Sequence, residues 1–164
     1  MRLSRLALAA TLAFASAVPV LAATTLPEPV QAALDEALDD EFRAEAFYAA
    51  VIDKHGQVRP FVNIIKAEQR HVQMLDAVMQ TYGLSAPANP YLDGSKPQPE
   101  ATETIAEACQ MGVAAEIANR DLYDGNLIPV AADYPDIVAV FEALRDASEN
   151  NHLPAFQRCA ARAG

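Results

Sequence analysis

"SENNHLPAF", residues 148–156, sets an acid and an imidazole one helical turn apart and follows them with a proline. "AEQRHV", residues 67–72, carries the same spacing, so Glu68 and His71 stand 81 residues ahead of Glu149 and His152. Residues three apart on a helix share a face, so each pair aims one carboxylate and one imidazole at one spot. A lone Glu-x-x-His arises by chance in about one chain in five of this size. The weight therefore rests on what surrounds the two copies.

Around them the chain reads as helix throughout. Over 29–54, Leu34, Leu38, Glu41, Glu45, Tyr48 and Ile52 recur at steps of three and four, which is one helical stripe holding two acids. Gly56 stops that helix and Pro60 opens the next, over 60–82, with Ile64, Glu68, His71, Leu75 and Met79 or Tyr82 on one face and Gly83 as its stop. A third helix is predicted over 101–126, with Cys109, Gly112, Glu116 and Tyr123 on one side. A fourth runs from Pro135 to about Ala161 through Ile137, Phe141, Leu144, Glu149, His152 and Phe156. Residues 84–100, "LSAPANPYLDGSKPQPE", form a proline-rich connection long for a compact domain. It suits a bundle in which one long connection runs the length between two hairpins. The expected fold class is an all-α four-helix bundle with such a crossover loop.

The two halves repeat. Glu41 is followed seven residues on by Tyr48 and later by Glu68-x-x-His71; Glu116 is followed seven residues on by Tyr123 and later by Glu149-x-x-His152. Packed face to face, two such hairpins would bring four carboxylates and two imidazoles to the bundle centre, the ligand set of dimetal carboxylate bundles. Without metal, that many buried like charges would be destabilising or would protonate. The competing reading has the acids solvated and the histidines serving as caps or core residues. Against it, the acids fall on the apolar stripes rather than opposite them.

The first 22 residues read as an export signal. "MRLSR" is basic, "LALAATLAFASAVPVLA" is apolar and Ala-rich, and Val20 and Ala22 fit the small-residue pattern before a cut ahead of Ala23. An uncleaved anchor is the alternative, disfavoured by the short apolar core. Cleavage removes Arg2 and Arg5 and takes the net charge from -10 to -12, which argues against nucleic acid and anionic membranes as partners. The expected location is periplasmic or secreted, with no membrane insertion after cleavage, as a monomer or small homo-oligomer.

In an oxidising compartment the two cysteines can pair. Cys109 lies seven residues before Glu116 and Cys159 seven after His152, close to two turns in each case. In antiparallel third and fourth helices both sulfurs then sit at one height, which predicts a Cys109–Cys159 disulfide. Pro154 has no N–H for the carbonyl of Asn150, so the helix is expected to loosen or kink beside the ligand pair.

The chain resembles the ferritin-like superfamily, and within it the bacterial family called domain of unknown function 2202. The resemblance rests on "DDEFRAEAFYAAVIDKHG", "RPFVNIIKAEQRH", "AAEIANRDLYD" and "SENNHLPAF" and covers nearly all of 30–158. Rubrerythrin-like relatives show the same Glu-to-Tyr offset. The resemblance implies Glu41, Glu68, His71, Glu116, Glu149 and His152 as ligands of two iron ions, with manganese or zinc as alternatives. No rubredoxin-type Cys-x-x-Cys is present. Glu45 also lies on the inward stripe; we read it as paired with Arg120 beside the site, with direct ligation as the alternative. Tyr48 and Tyr123 are candidates to hydrogen-bond ligand carboxylates, or else core tyrosines. His55, in a turn, is read as solvated. The expected activity is oxidation of Fe(II), or reduction of peroxide or dioxygen. The alternatives are a metal-sequestering protein without turnover and an interaction bundle with a structural metal.

Overall fold

The computed structural model describes residues 25–163, so the expected export signal lies outside the described residues. Among them the chain is all-helical. The helices are α1 (Glu28–His55), α2 (Phe61–Thr81), α3 (Ile105–Leu122), a short α4 (Ile128–Val130), α5 (Pro135–Ala147) and α6 (Leu153–Ala163). A π-helical turn, Tyr123–Leu127, joins α3 to α4, and a second, Ser148–His152, joins α5 to α6. Four long helical rods result, at nearly the positions the periodicity predicts.

Local chemistry fixes the ends. Glu28 favours the positive end of α1, and Lys54 and His55 its negative end, before Gly56 turns the chain at φ 83°. At the end of α2, Gly83 at φ 76° completes a paired closure. Its own N–H donates to the carbonyl of Gln80 (3.1 Å), and the N–H of Leu84 to that of Met79 (3.1 Å). The third helix starts four residues later than predicted because Thr104 caps it reciprocally. Its hydroxyl accepts from the Glu107 N–H (3.2 Å) while the Glu107 carboxylate accepts from the Thr104 N–H (3.0 Å).

Helix α1 packs on α2, and α3 on α6, while α1 and α3 touch less closely. Two apolar layers fill the bundle. One gathers Leu34, Leu38, Leu75, Tyr123, Phe141 and Leu144. The other gathers Tyr48, Phe61, Phe156, Cys109 and Cys159, with the Phe61 and Phe156 rings 5.3 Å apart. On every rod the Glu and His positions fall between residues of the first layer and residues of the second, so the polar site is sandwiched between them. The predicted disulfide joins α3 to α6 in the second layer, with Cα atoms 5.8 Å apart. The same rods meet at Gly112, where an added Cβ would lie 2.5 Å from the Phe156 ring; only a residue without a side chain allows that approach.

The helix-free segment between α2 and α3 is held along α1. Asn89 donates to the carbonyl of Phe42 (3.0 Å), the Tyr91 hydroxyl donates to Asp39 (2.9 Å), and His55 meets the carbonyl of Thr102 at 2.9 Å. His55 is thus half-buried and bonded, not solvated as its turn position suggested. No helix among the described residues is long and apolar enough to cross a membrane.

Candidate metal centre

Five of the six predicted ligands come together. Glu41 from α1, Glu68 and His71 from α2, Glu116 from α3 and His152 from the second π turn are all buried. They form two triads, Glu41–Glu68–His71 and Glu68–Glu116–His152, and in each the candidate ligand atoms lie within 4.8 Å of one another. Glu68 belongs to both. Its Oε2 is 2.9 Å from His71 Nδ1 and its Oε1 is 3.3 Å from His152 Nδ1. The remaining carboxylates complete the pattern, with Glu41 at 3.0 Å from His71 Nδ1 and Glu116 at 3.5 Å from His152 Nδ1. The two imidazoles stack with centroids 5.5 Å apart.

The tyrosines bond ligand carboxylates, and they do so across the halves. The Tyr48 hydroxyl, on α1, donates to Glu116 of the second half (2.8 Å), while the Tyr123 hydroxyl donates to Glu41 of the first (3.0 Å). Each tyrosine is fully or nearly fully buried and reaches its partner from one of the two apolar layers. Burial, then the neighbouring Glu116, pushes the Tyr48 phenol well above its ordinary range; burial and Glu41 do the same for Tyr123. Both therefore stay protonated donors that fix carboxylate orientation.

Glu149 departs from expectation: it is exposed and contributes to neither triad. The cause is the second π turn. Pro154 cannot donate to the carbonyl of Asn150, and its ring crowds that carbonyl, so the preceding turn widens until the Leu153 N–H donates to Ser148, five residues back. The widened turn holds one extra residue. The residue sharing the inward face with His152 becomes Ser148, buried and four back, instead of Glu149, three back. The loosening expected from Pro154 is thus present, and it turns Glu149, the partner of His152 in the predicted pair, away from the centre. The first π turn has the same construction: Ile128 donates to Tyr123, and Pro129 follows. That signal, a proline six residues beyond an inward tyrosine, stood in the sequence as a match to Pro154 beyond Ser148.

The Glu45–Arg120 pair does not form. Glu45 accepts from Gln69 and from Asn89 (2.9 Å each) on the side of α1 that faces the long connection. Arg120 instead donates to its neighbour Asp121 (2.7 Å). Glu45 is thus neither a member of a triad nor a partner to Arg120. The periodic stripe was too wide to tell the face toward α2 and the connection from the face toward the centre. A buried residue outside the stripes, Asn119, donates to Asp40 of α1 (2.8 Å), linking α3 to α1 beside the site.

The electrostatics of the metal-free cluster are those of a proton store. Burial pushes the Glu41 carboxyl up to about 8, with the Glu68 charge adding to it. Burial acts the same way on Glu68, but the imidazoles of His152 and His71 beside it outweigh burial and pull that carboxyl down to about 2. Burial would neutralise the imidazoles, yet Glu41 and Glu68 raise His71 to about 9, and Glu116 and Glu68 raise His152 to about 10. Each triad is a group that could hold a metal ion. Together the triads offer three carboxylates and two imidazoles, mixed O and N donors suited to iron, manganese or zinc. One carboxylate is shared, and His152 Nδ1 is buried with no hydrogen bond of good geometry.

No curated protein and no solved structure matches the chain. Residues 37–164 match the family described as "Uncharacterized protein domain (DUF2202)". That span holds every residue of both triads, both tyrosines and the disulfide, and the chain belongs to that family.

Proposed function

We propose that this is an exported ferritin-like dimetal carboxylate protein whose centre holds two iron ions and oxidises Fe(II) with dioxygen or peroxide. The observation that carries the reading is Glu68, one buried carboxylate common to two Glu/His triads, one within the first hairpin and one completed by Glu116 and His152 of the second. A site for a single structural ion needs one closed shell of about four ligands and no second triad. The segment between α2 and α3, which touches α1 at Asp39 and Phe42 and reaches His55, supports the ferritin-like connection of two hairpins. Export rests on the character of residues 1–22 and on the disulfide, which an oxidising compartment preserves.

Glu41, Glu68, His71, Glu116 and His152 would hold the pair. A bound iron pair would supply two electrons, one from each ion, which with two protons would reduce dioxygen to peroxide or peroxide to two waters. The chain's own residues orient and buffer. Tyr48 and Tyr123 hold the Glu116 and Glu41 carboxylates through donors that do not ionise near neutrality. The two apolar layers close the centre off along the bundle axis, which strengthens these interactions on those two sides.

Anaerobic loading with Fe(II), followed by stopped-flow absorbance on mixing with oxygen or peroxide, tests the proposal. Two Fe(II) per chain and oxidation faster than that of free Fe(II) are expected. Tight uptake of two ions without acceleration would instead favour the sequestering reading.

A further inference from the structure

A cleft of about 280 Å3 opens between α1 and α3, where the two rods touch less closely. Its inner end reaches Glu41, Glu68, Glu116 and Ser148, whereas neither histidine lines it. Its walls are apolar, with Ala44, Phe47, Met111 and Ala115 prominent. At the mouth Arg43 pairs with Asp40, which holds Asn119.

Three observations define what would fit. The first is size. A water molecule takes about 30 Å3 of the liquid, and dioxygen or peroxide needs little more. The cleft is several times larger and lies near the lower end of organic-ligand sites, which run from about 300 to 1,000 Å3. The second is charge. With Glu149 turned outward, three carboxylates would face the two divalent ions of the proposed centre, leaving one positive charge uncompensated in a buried place. The third is position. The inward place at the head of the second π turn belongs to Ser148, a small residue lining the cleft.

We propose that the cleft takes a small monocarboxylate with an apolar tail, its carboxylate at Ser148 where a fourth glutamate is missing and its tail among Phe47, Met111 and Ala115. The inference rests on the dimetal reading and adds the class of molecule that completes the site. Without the ions the inner end carries no uncompensated positive charge to hold an anion, so binding depends on metal.

The test uses Co(II) as a spectroscopic probe. Bound Co(II) is counted first, and butyrate, acetate and butyramide are then titrated against the visible cobalt bands and by calorimetry. One butyrate per chain is expected to perturb the bands saturably, with acetate about tenfold weaker for want of two methylenes. Butyramide and the metal-free protein should not bind. A115L, at an exposed wall position, should weaken butyrate at least tenfold while still holding two Co(II); S148E, which supplies an internal carboxylate, should do the same. Two Co(II) per chain with no butyrate binding overturns this inference alone. So does butyramide binding as well as butyrate, or butyrate binding unaffected by A115L. One Co(II) per chain or fewer overturns the dimetal reading, and this inference with it.

Discussion

Loading the centre with metal should release protons in a number set by the cluster. At pH 7 the metal-free site keeps protons on His71, His152 and Glu41, whose affinities are raised to about 9, about 10 and about 8. Glu68, pulled down to about 2, has none to give. A metal ligand must be deprotonated, so filling both places should expel about three protons per chain at pH 7. The number should fall as pH rises, because Glu41 loses its proton near 8 and His71 near 9, leaving about one, from His152, near pH 9.5. The assay is a weakly buffered titration of the metal-free protein with Mn(II), read by pH-stat and compared across pH. Glu41→Gln provides an internal check: it should lower the pH 7 release by about one proton, since the amide has no acid proton to lose. A release below one proton per chain at pH 7, or one that does not decline toward pH 9.5, would show that the acids and imidazoles are not sharing protons as their contacts require.

Metal stoichiometry should separate the glutamates of the two Glu-x-x-His copies: Glu149→Gln should still take up two Mn(II), whereas Glu68→Gln, which removes the charge common to both triads, should hold one or none. The metal-free protein should lose stability as pH rises from 7 to 10, because His71, His152 and Glu41 bind protons more tightly folded than unfolded, and thermal melts across that range check the sign. Thiol titration of unreduced, denatured protein should find no free thiol. Reduction of the Cys109–Cys159 bond should cost about 2–4 kcal/mol by urea unfolding. Gly112→Ala should destabilise by about 1–3 kcal/mol in the same assay, since the new methyl meets the Phe156 ring between two packed rods; an unchanged midpoint would contradict the close approach of α3 and α6.

Much of this protein was determined by the chain alone. The long helices follow from apolar steps of three and four, with stops at Gly56 and Gly83 and a start at Pro135, all local properties of the backbone. Four of the five gathered ligand-type residues and the cysteine pair were legible because regular helical spacing places Glu41, Glu68, His71, Glu116, Cys109 and Cys159 wherever the rod is regular. The prolines announced that the rod would not stay regular, but not how the strain would resolve. Tertiary packing settled that: with Phe156 seated against Gly112 and His152 against Glu68, the widened turn put its extra residue at Glu149 and left Ser148 facing in. Which tyrosine holds which carboxylate, where Glu45 finds its partners and where a cleft opens beside the site all depend on distances between different rods. A sequence period describes one helix at a time, whereas those distances exist only when the rods pack together.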